Sequence, residues 1–419
     1  MLDLILACFL GIICGAFTGI VPGIHVNTAG AIVFASSTFL LGFLSPEFLC
    51  VLLIAMSIAH ALIEFVPSML LGVPEEGTAL SILPGHRMVL EGRSKEAIRI
   101  VSLGGFGSIL IIIILLPIFA FVLPTVHAFT KEFTWVILLG VSLYMVWRLS
   151  SGKKAFYWSL LLFILSGILG WTTFQTPISS GLLLMCTFSG LFGISTIMFS
   201  LNDNSFIPHQ NKFYDLNLNK EMIKGIFAGG IAGAILGFLP GFGPAQGGII
   251  AQELSGGSGE NETENFLTAI SGLNTTDTLF SIISIYLIGN PRSAIAVYMN
   301  YLIETFSVSH LLLFTFVSLI SVSISLIICL KIGDSFSKLM QGIDYKRLSI
   351  FVIILMIAIL FIFAIIYEAS IPYLALILIT STGLGLLPHY LGVSKSHLMG
   401  VLIIPAIIIY FNIFINAIL

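Results

Sequence analysis

Ionisable side chains are rare in the apolar stretches of this sequence, and each one found there is a candidate for chemistry, because burying charge in hydrocarbon is costly. His60 and Glu64 stand one helical turn apart, close enough to interact on a helix face. Asp277 follows Asn274, Thr275 and Thr276, and carboxylate, hydroxyl and amide oxygens together suit a hard cation or a proton. A structural ion pair is the rival reading for Asp277. Arg292, just after Asn290 and Pro291, has a guanidinium that can clamp a carboxylate through two parallel hydrogen bonds. It can equally snorkel to an interface or pair with Glu304.

A second set of candidates lies where helices must break. Pro22–Gly23 and Pro240–Gly241, with Gly243 shortly after, interrupt long apolar stretches. Proline removes a backbone donor and clashes with the preceding turn, while glycine permits reversed dihedrals. Backbone groups exposed in hydrocarbon are tolerated only where protein buries them or a cavity solvates them. The N–H groups of a resumed helix carry partial positive charge and favour anions. His25, Asn27 and Thr28 follow the first break and Gln246 the second, as uncharged donors for an anion or simply as packed and capping residues. Thr78 comes after the Pro74 break, as Arg292 comes after Pro291.

These breaks are duplicated. Gly11, Gly15, Gly19, Pro22, Gly23 and Gly30 align without a gap on Gly229, Gly233, Gly237, Pro240, Gly241 and Gly248, at a constant offset of 218. Gly72 and Pro74 pair with Gly289 and Pro291 at 217, and at that offset Asp277 takes the place of His60. Two halves are expected, 1–205 and 206–419, each a broken helix, a helical hairpin and four plain helices. Paired interrupted segments in such a repeat point to a transport site.

The elements that carry these residues belong in a bilayer. Charged residues are 9% of the chain and hydrophobic residues 58%, with a mean hydropathy of +1.10. Soluble domains carry about 25% charge. Uninterrupted helices are expected near 97–123, 133–148, 155–170, 175–200, 307–330, 348–368, 371–390 and 396–417, broken stretches at 4–44 and 222–254, and hairpins at 47–90 and 264–306. All Lys and Arg except Lys131, Arg292 and Lys395 fall in four loops. If each broken stretch crosses once and each hairpin returns, all four loops share one side, which the positive-inside rule makes cytoplasmic. Both termini and the acidic loop Glu260–Glu264 then lie outside, and the halves are related by an axis in the membrane plane. The fold class is an all-α, polytopic bundle of two inverted-topology repeats in the cell membrane.

Several classes are excluded. There is no basic run for nucleic acid, no cysteine pair with metal-ligand spacing, no His-Glu-x-x-His helix and no serine elbow. No cofactor is expected, and an enzyme lacks a nucleophile or metal constellation to work with.

The chain also resembles the TctA family, the large membrane subunit of tripartite tricarboxylate transporters. The resemblance lies in the paired Val-Pro-Gly and Leu-Pro-Gly breaks and in Leu70–Ser108, where Thr78–Leu80, Pro84–Met88 and Gly92–Ala97 sit where elements of the family's pattern would fall. The family's Pro-Gly-Thr-Pro turn is Val73-Pro74-Glu75-Glu76 here, and Gly272–Asp277 stands for its Glu-Ala-x-Asn-Asn-Ala run, which marks a divergent branch. The resemblance implies uptake of di- or tricarboxylates driven by a sodium or proton gradient. It also implies a small membrane subunit and an extracytoplasmic binding protein as partners. A flippase for polyisoprenyl phosphate or another anionic lipid is the alternative reading.

Overall fold

The computed structural model describes residues 2–21, 26–72, 77–201, 208–211, 220–238, 244–255, 262–339 and 345–418. All regular structure among them is helical. The helices are α1 (Leu2–Ile20), α2 (Val26–Ala35), α3 (Ser37–Leu40), α4 (Pro46–Ile63), α5 (Phe65–Leu71), α6 (Ile82–Leu90) and α7 (Ser94–Thr130). There follow α8 (Thr134–Arg148), α9 (Lys153–Phe174), α10 (Ser180–Phe188), α11 (Ser195–Ser200), α12 (Lys220–Phe238) and α13 (Pro244–Ser255). The chain closes with α14 (Glu262–Ile288), α15 (Ala294–Leu302), α16 (Val308–Leu339), α17 (Tyr345–Ile366), α18 (Ile371–Leu391) and α19 (Gly400–Ile418). Nine helical segments among the described residues are long and apolar enough to cross a membrane. The eight plain helices read from hydropathy are all present, with α7 running through Pro117 and Pro124 to Thr130.

Helix α1 ends at Ile20 and α2 is described from Val26, and α12 is described to Phe238 and α13 from Pro244; the Pro22–Gly23 and Pro240–Gly241 pairs between them lie outside the described residues. The glycines before each break meet backbone in matching places. A Cβ on Gly15 would stand 2.3 Å from Met56 O and 2.8 Å from Ala59 Cβ, and one on Gly233 2.6 Å from Leu273 O and 2.8 Å from Thr276 Cβ. Gly19 meets His60 O and Glu64 N as Gly237 meets Asp277 O and Ser281 N. Each partner in the second half is 217 residues beyond its equivalent in the first. Small residues spaced by four let backbones approach this closely.

These contacts ascend together, so α1 runs parallel to α4 and α12 parallel to α14. Two parallel helices in succession require the chain between them to return, so residues 26–45 lead back to the end where α1 began. In the second half α13 packs on α12, and Asn265 Nδ2 donates to Ser255 O at 3.1 Å, which brings the end of α13 beside the start of α14. Each broken stretch therefore returns, and the stretch after it makes the crossing. This reverses the expectation that broken stretches cross and hairpins return. Hydropathy does not separate the two arrangements, because the apolar length is the same.

The exchange moves one loop. Arg93 pairs with Glu264, and Arg148 Nε lies 2.6 Å from Glu253 Oε1. The end of the acidic loop expected at the opposite face thus shares an end with the basic loops, where Glu264 finds a cationic partner. Arg99 grips Asp334 at the same end with two hydrogen bonds of 2.9 and 3.0 Å. Since both assignments in each half are exchanged together, the number of crossings between basic loops is unchanged.

The helices form two groups. Residues of α1, α4–α7, α12 and α14–α16 build one apolar core. Two smaller cores draw on α8–α11 and α17–α19.

Candidate functional site

Helix α4 and the residue that caps its end present Ser57, His60, Ala61 and Glu64, spaced i, i+3, i+4 and i+7, to a cavity of about 440 Å³. That spacing defines a single helix face. Helix α14 presents Asn274, Asp277, Thr278 and Ser281 to the same cavity with the same spacing. Each of these four lies 217 residues after one of the first four. Asn27 at the start of α2, the segment Asn290–Ile295 with Arg292, and Tyr410 from α19 complete the polar lining.

The first wall is held by a buried network. Thr18 Oγ1 lies 3.0 Å from His60 Nδ1, and His60 Nε2 lies 3.6 Å from Glu64 Oε2. Asn274 Nδ2 reaches across from the other half and donates to Glu64 Oε1 at 2.6 Å and to Ala61 O at 2.9 Å. One asparagine thus ties the two walls together through a charge-assisted bond. Gly77 makes room for it, since a Cβ there would stand 2.1 Å from Asn274 Oδ1. On the second wall Arg292 interacts with Tyr410 and lies within the field of Asp277.

The candidates from sequence divide accordingly. Asn27, His60, Glu64, Asn274, Asp277, Asn290 and Arg292 are brought together. Thr275 is turned away, its Oγ1 bonding Ser271 O at 2.9 Å on the face toward α7. Thr276 is buried against Gly233. Thr78 lies outside the cavity, with its hydroxyl 2.5 Å from Ser68 Oγ. Successive helix positions differ by about 100°, so three consecutive polar residues cannot share one face. Pro22, Gly23, His25, Pro240, Gly241 and Gly243 lie outside the described residues, as do the side chains of Thr28 and Gln246.

Ser57, Thr278, Ser281 and Tyr410 were not singled out from sequence. The first and third were legible by the repeat, as equivalents of Asn274 and Glu64. Tyr410 carries no local signal, because it arrives from the last helix of the other group. Among the described residues no three His, Cys, Asp or Glu side chains group as metal ligands.

The lining has the chemistry to hold a polar ligand and a small cation together. Arg292, Asn27, Asn290 and Tyr410 supply donors, and Glu64, Asp277 and the hydroxyls supply acceptors. The profile of the tripartite tricarboxylate transporter TctA family matches residues 5–400. An uncharacterised protein of Methanocaldococcus jannaschii is 30% identical over 417 residues, covering 98% of this chain and 99% of its own. No solved structure matches.

Proposed function

The chain belongs to the tripartite tricarboxylate transporter TctA family, and from that premise we propose that it is a secondary active transporter taking a di- or tricarboxylate in its central cavity together with sodium ions or protons. The observation that carries the reading is the balance of charge in that cavity. Glu64 and Asp277 face it with Arg292 as the one guanidinium, so a dicarboxylate entering alone adds negative charge to negative charge. Sodium ions or protons on Glu64 and Asp277 remove that penalty, which is the physical content of coupling. Arg292 then binds one substrate carboxylate, and Asn27 and Asn290 orient it.

The matched walls support an inverted-repeat arrangement, with halves 1–205 and 206–419 opening the cavity alternately to either face. The end carrying Arg93, Arg99 and Arg148 faces the cytoplasm, and both termini face away. The family's tripartite assembly makes a small membrane subunit and an extracytoplasmic binding protein the expected partners. The lipid flippase gains no observation of its own.

The test is the melting temperature of the purified protein against a panel of carboxylates, with and without sodium. Ligand that binds only the folded state raises it by mass action. A rise with one di- or tricarboxylate, larger in sodium or at lower pH and lost in Arg292→Gln, is expected. No rise with any carboxylate sinks the reading.

A further inference from the structure

Lys395 begins a short turn of 3₁₀ helix between α18 and α19 and is 9% exposed. Its Nζ donates to Ser195 Oγ at 2.8 Å and Thr196 Oγ1 at 2.6 Å. Neither hydroxyl brings a negative charge, and among the described residues no carboxylate pairs with this ammonium. Every other basic residue named so far at this end of the bundle has an acidic partner or open solvent. An ammonium has three donors, and two are used.

The third has somewhere to point. Lys395 lines a cavity of about 200 Å³ with Ser394, Ser396, Thr196 and Gln252, closed by apolar side chains such as Leu80 and Phe192. That volume equals roughly six or seven waters of liquid, enough for a small organic anion. Mostly apolar walls with a few converging polar groups are the usual form of a small-ligand site. The cavity shares no residue with the central one. Gln252 and Leu149 place it beside the Glu253–Arg148 pair, at the basic end. Like the central cavity, it lies between the two groups of helices.

Burial without a counter-charge holds an amine toward its neutral form, and a bound anion favours the protonated one. We propose that Lys395, with Ser394, Ser396, Thr196 and Gln252, forms a second site for a small carboxylate at the basic end of the helix-group interface, separate from the central cavity. The choice of carboxylate as ligand class rests on the transporter reading. The site's position puts it where a substrate leaving toward the basic end is next held.

Equilibrium binding of labelled succinate to the full-length protein in detergent tests this. The wild type is compared with Lys395→Met, Gln252→Glu and Arg292→Gln, each checked for monodispersity. Gln252→Glu is nearly isosteric and places a fixed carboxylate in the small cavity, so it guards against a folding failure of Lys395→Met. Two succinates per chain are expected in the wild type. Lys395→Met and Gln252→Glu should each bind one of the two at least tenfold more weakly, while Arg292→Gln keeps that site and loses the other. Binding of the same number by wild type, Lys395→Met and Gln252→Glu overturns the second site and leaves the transporter reading intact. A single succinate lost in Lys395→Met but kept in Arg292→Gln upholds the second site and sinks the central one. No succinate bound by the wild type overturns both.

Discussion

Replacing Gly15 or Gly233 by alanine should loosen the protein, and by similar amounts. The added methyl at Gly15 would stand 2.3 Å from Met56 O, and at Gly233 2.6 Å from Leu273 O. Both obstacles are backbone, so no rotamer change relieves them and a helix must move. An extra methyl in a well-packed site costs about 1–3 kcal/mol. Gly140 in α8 and Gly383 in α18 are the controls, since a Cβ at either meets nothing within 4 Å. Alanine there gains roughly 0.5–1 kcal/mol through backbone entropy. At about 2–4 °C per kcal/mol for domains of 150–250 residues, and less for a longer chain, the two classes should shift in opposite directions by a few degrees. The assay is the melting temperature in detergent, read for all four variants side by side. Wild-type melting by Gly15→Ala or Gly233→Ala, or an equal fall in Gly383→Ala, would refute the packing argument.

Asn274→Leu removes the bond that joins the two walls and leaves Glu64 short of a donor, so a stability loss of about 2–3 kcal/mol is expected in the same melting assay. Asn274→Asp sets two carboxyl groups within hydrogen-bond reach, and one must keep its proton. Uptake by that variant should therefore persist at low pH and fall as pH rises; a profile parallel to the wild type contradicts this. Asp277→Asn should abolish cation dependence while leaving folded protein in the membrane, and unchanged dependence removes Asp277 from that role. Arg292→Lys keeps the charge but not the planar fork, so carboxylate affinity should drop roughly tenfold as read by the same thermal shift. The Arg99–Asp334 pair is partly exposed, and a double-mutant cycle should return a coupling of about 1 kcal/mol at most.

Much of this architecture was legible from the residues themselves. Plain helices follow from runs of apolar sequence, and the breaks from proline beside glycine, because both are properties of the chain's own neighbours. Which stretch crosses and which returns is different. Residues 222–254 are long enough for either, and only the approach of Ser255 to Asn265 and of Glu264 to Arg93 decides it. The cavity was half legible. His60, Glu64 and Asp277 stood out as buried ionisable groups, but Thr275 and Thr276 were grouped with Asp277 by adjacency when the helix turns them away. Applying the i, i+3, i+4, i+7 rule together with the offset of 217 would have returned Ser57, Thr278 and Ser281. Nothing local points to Tyr410 or to the solitude of Lys395, since both depend on how the second helix group seats against the first.

The two walls of the central cavity share a template but not a composition. His60 is the equivalent of Asp277 in the repeat, and Glu64 of Ser281, so backbone shape is duplicated while charge is divided. On the proposed inverted arrangement, a movement that opens one mouth has a counterpart of nearly equal backbone strain that opens the other. What tips the balance between them is then carried by a handful of unlike side-chain pairs. The orientation the empty molecule prefers is then a property of a few residues, and a double exchange such as His60→Asp with Asp277→His would ask whether that preference turns over while the fold stays the same.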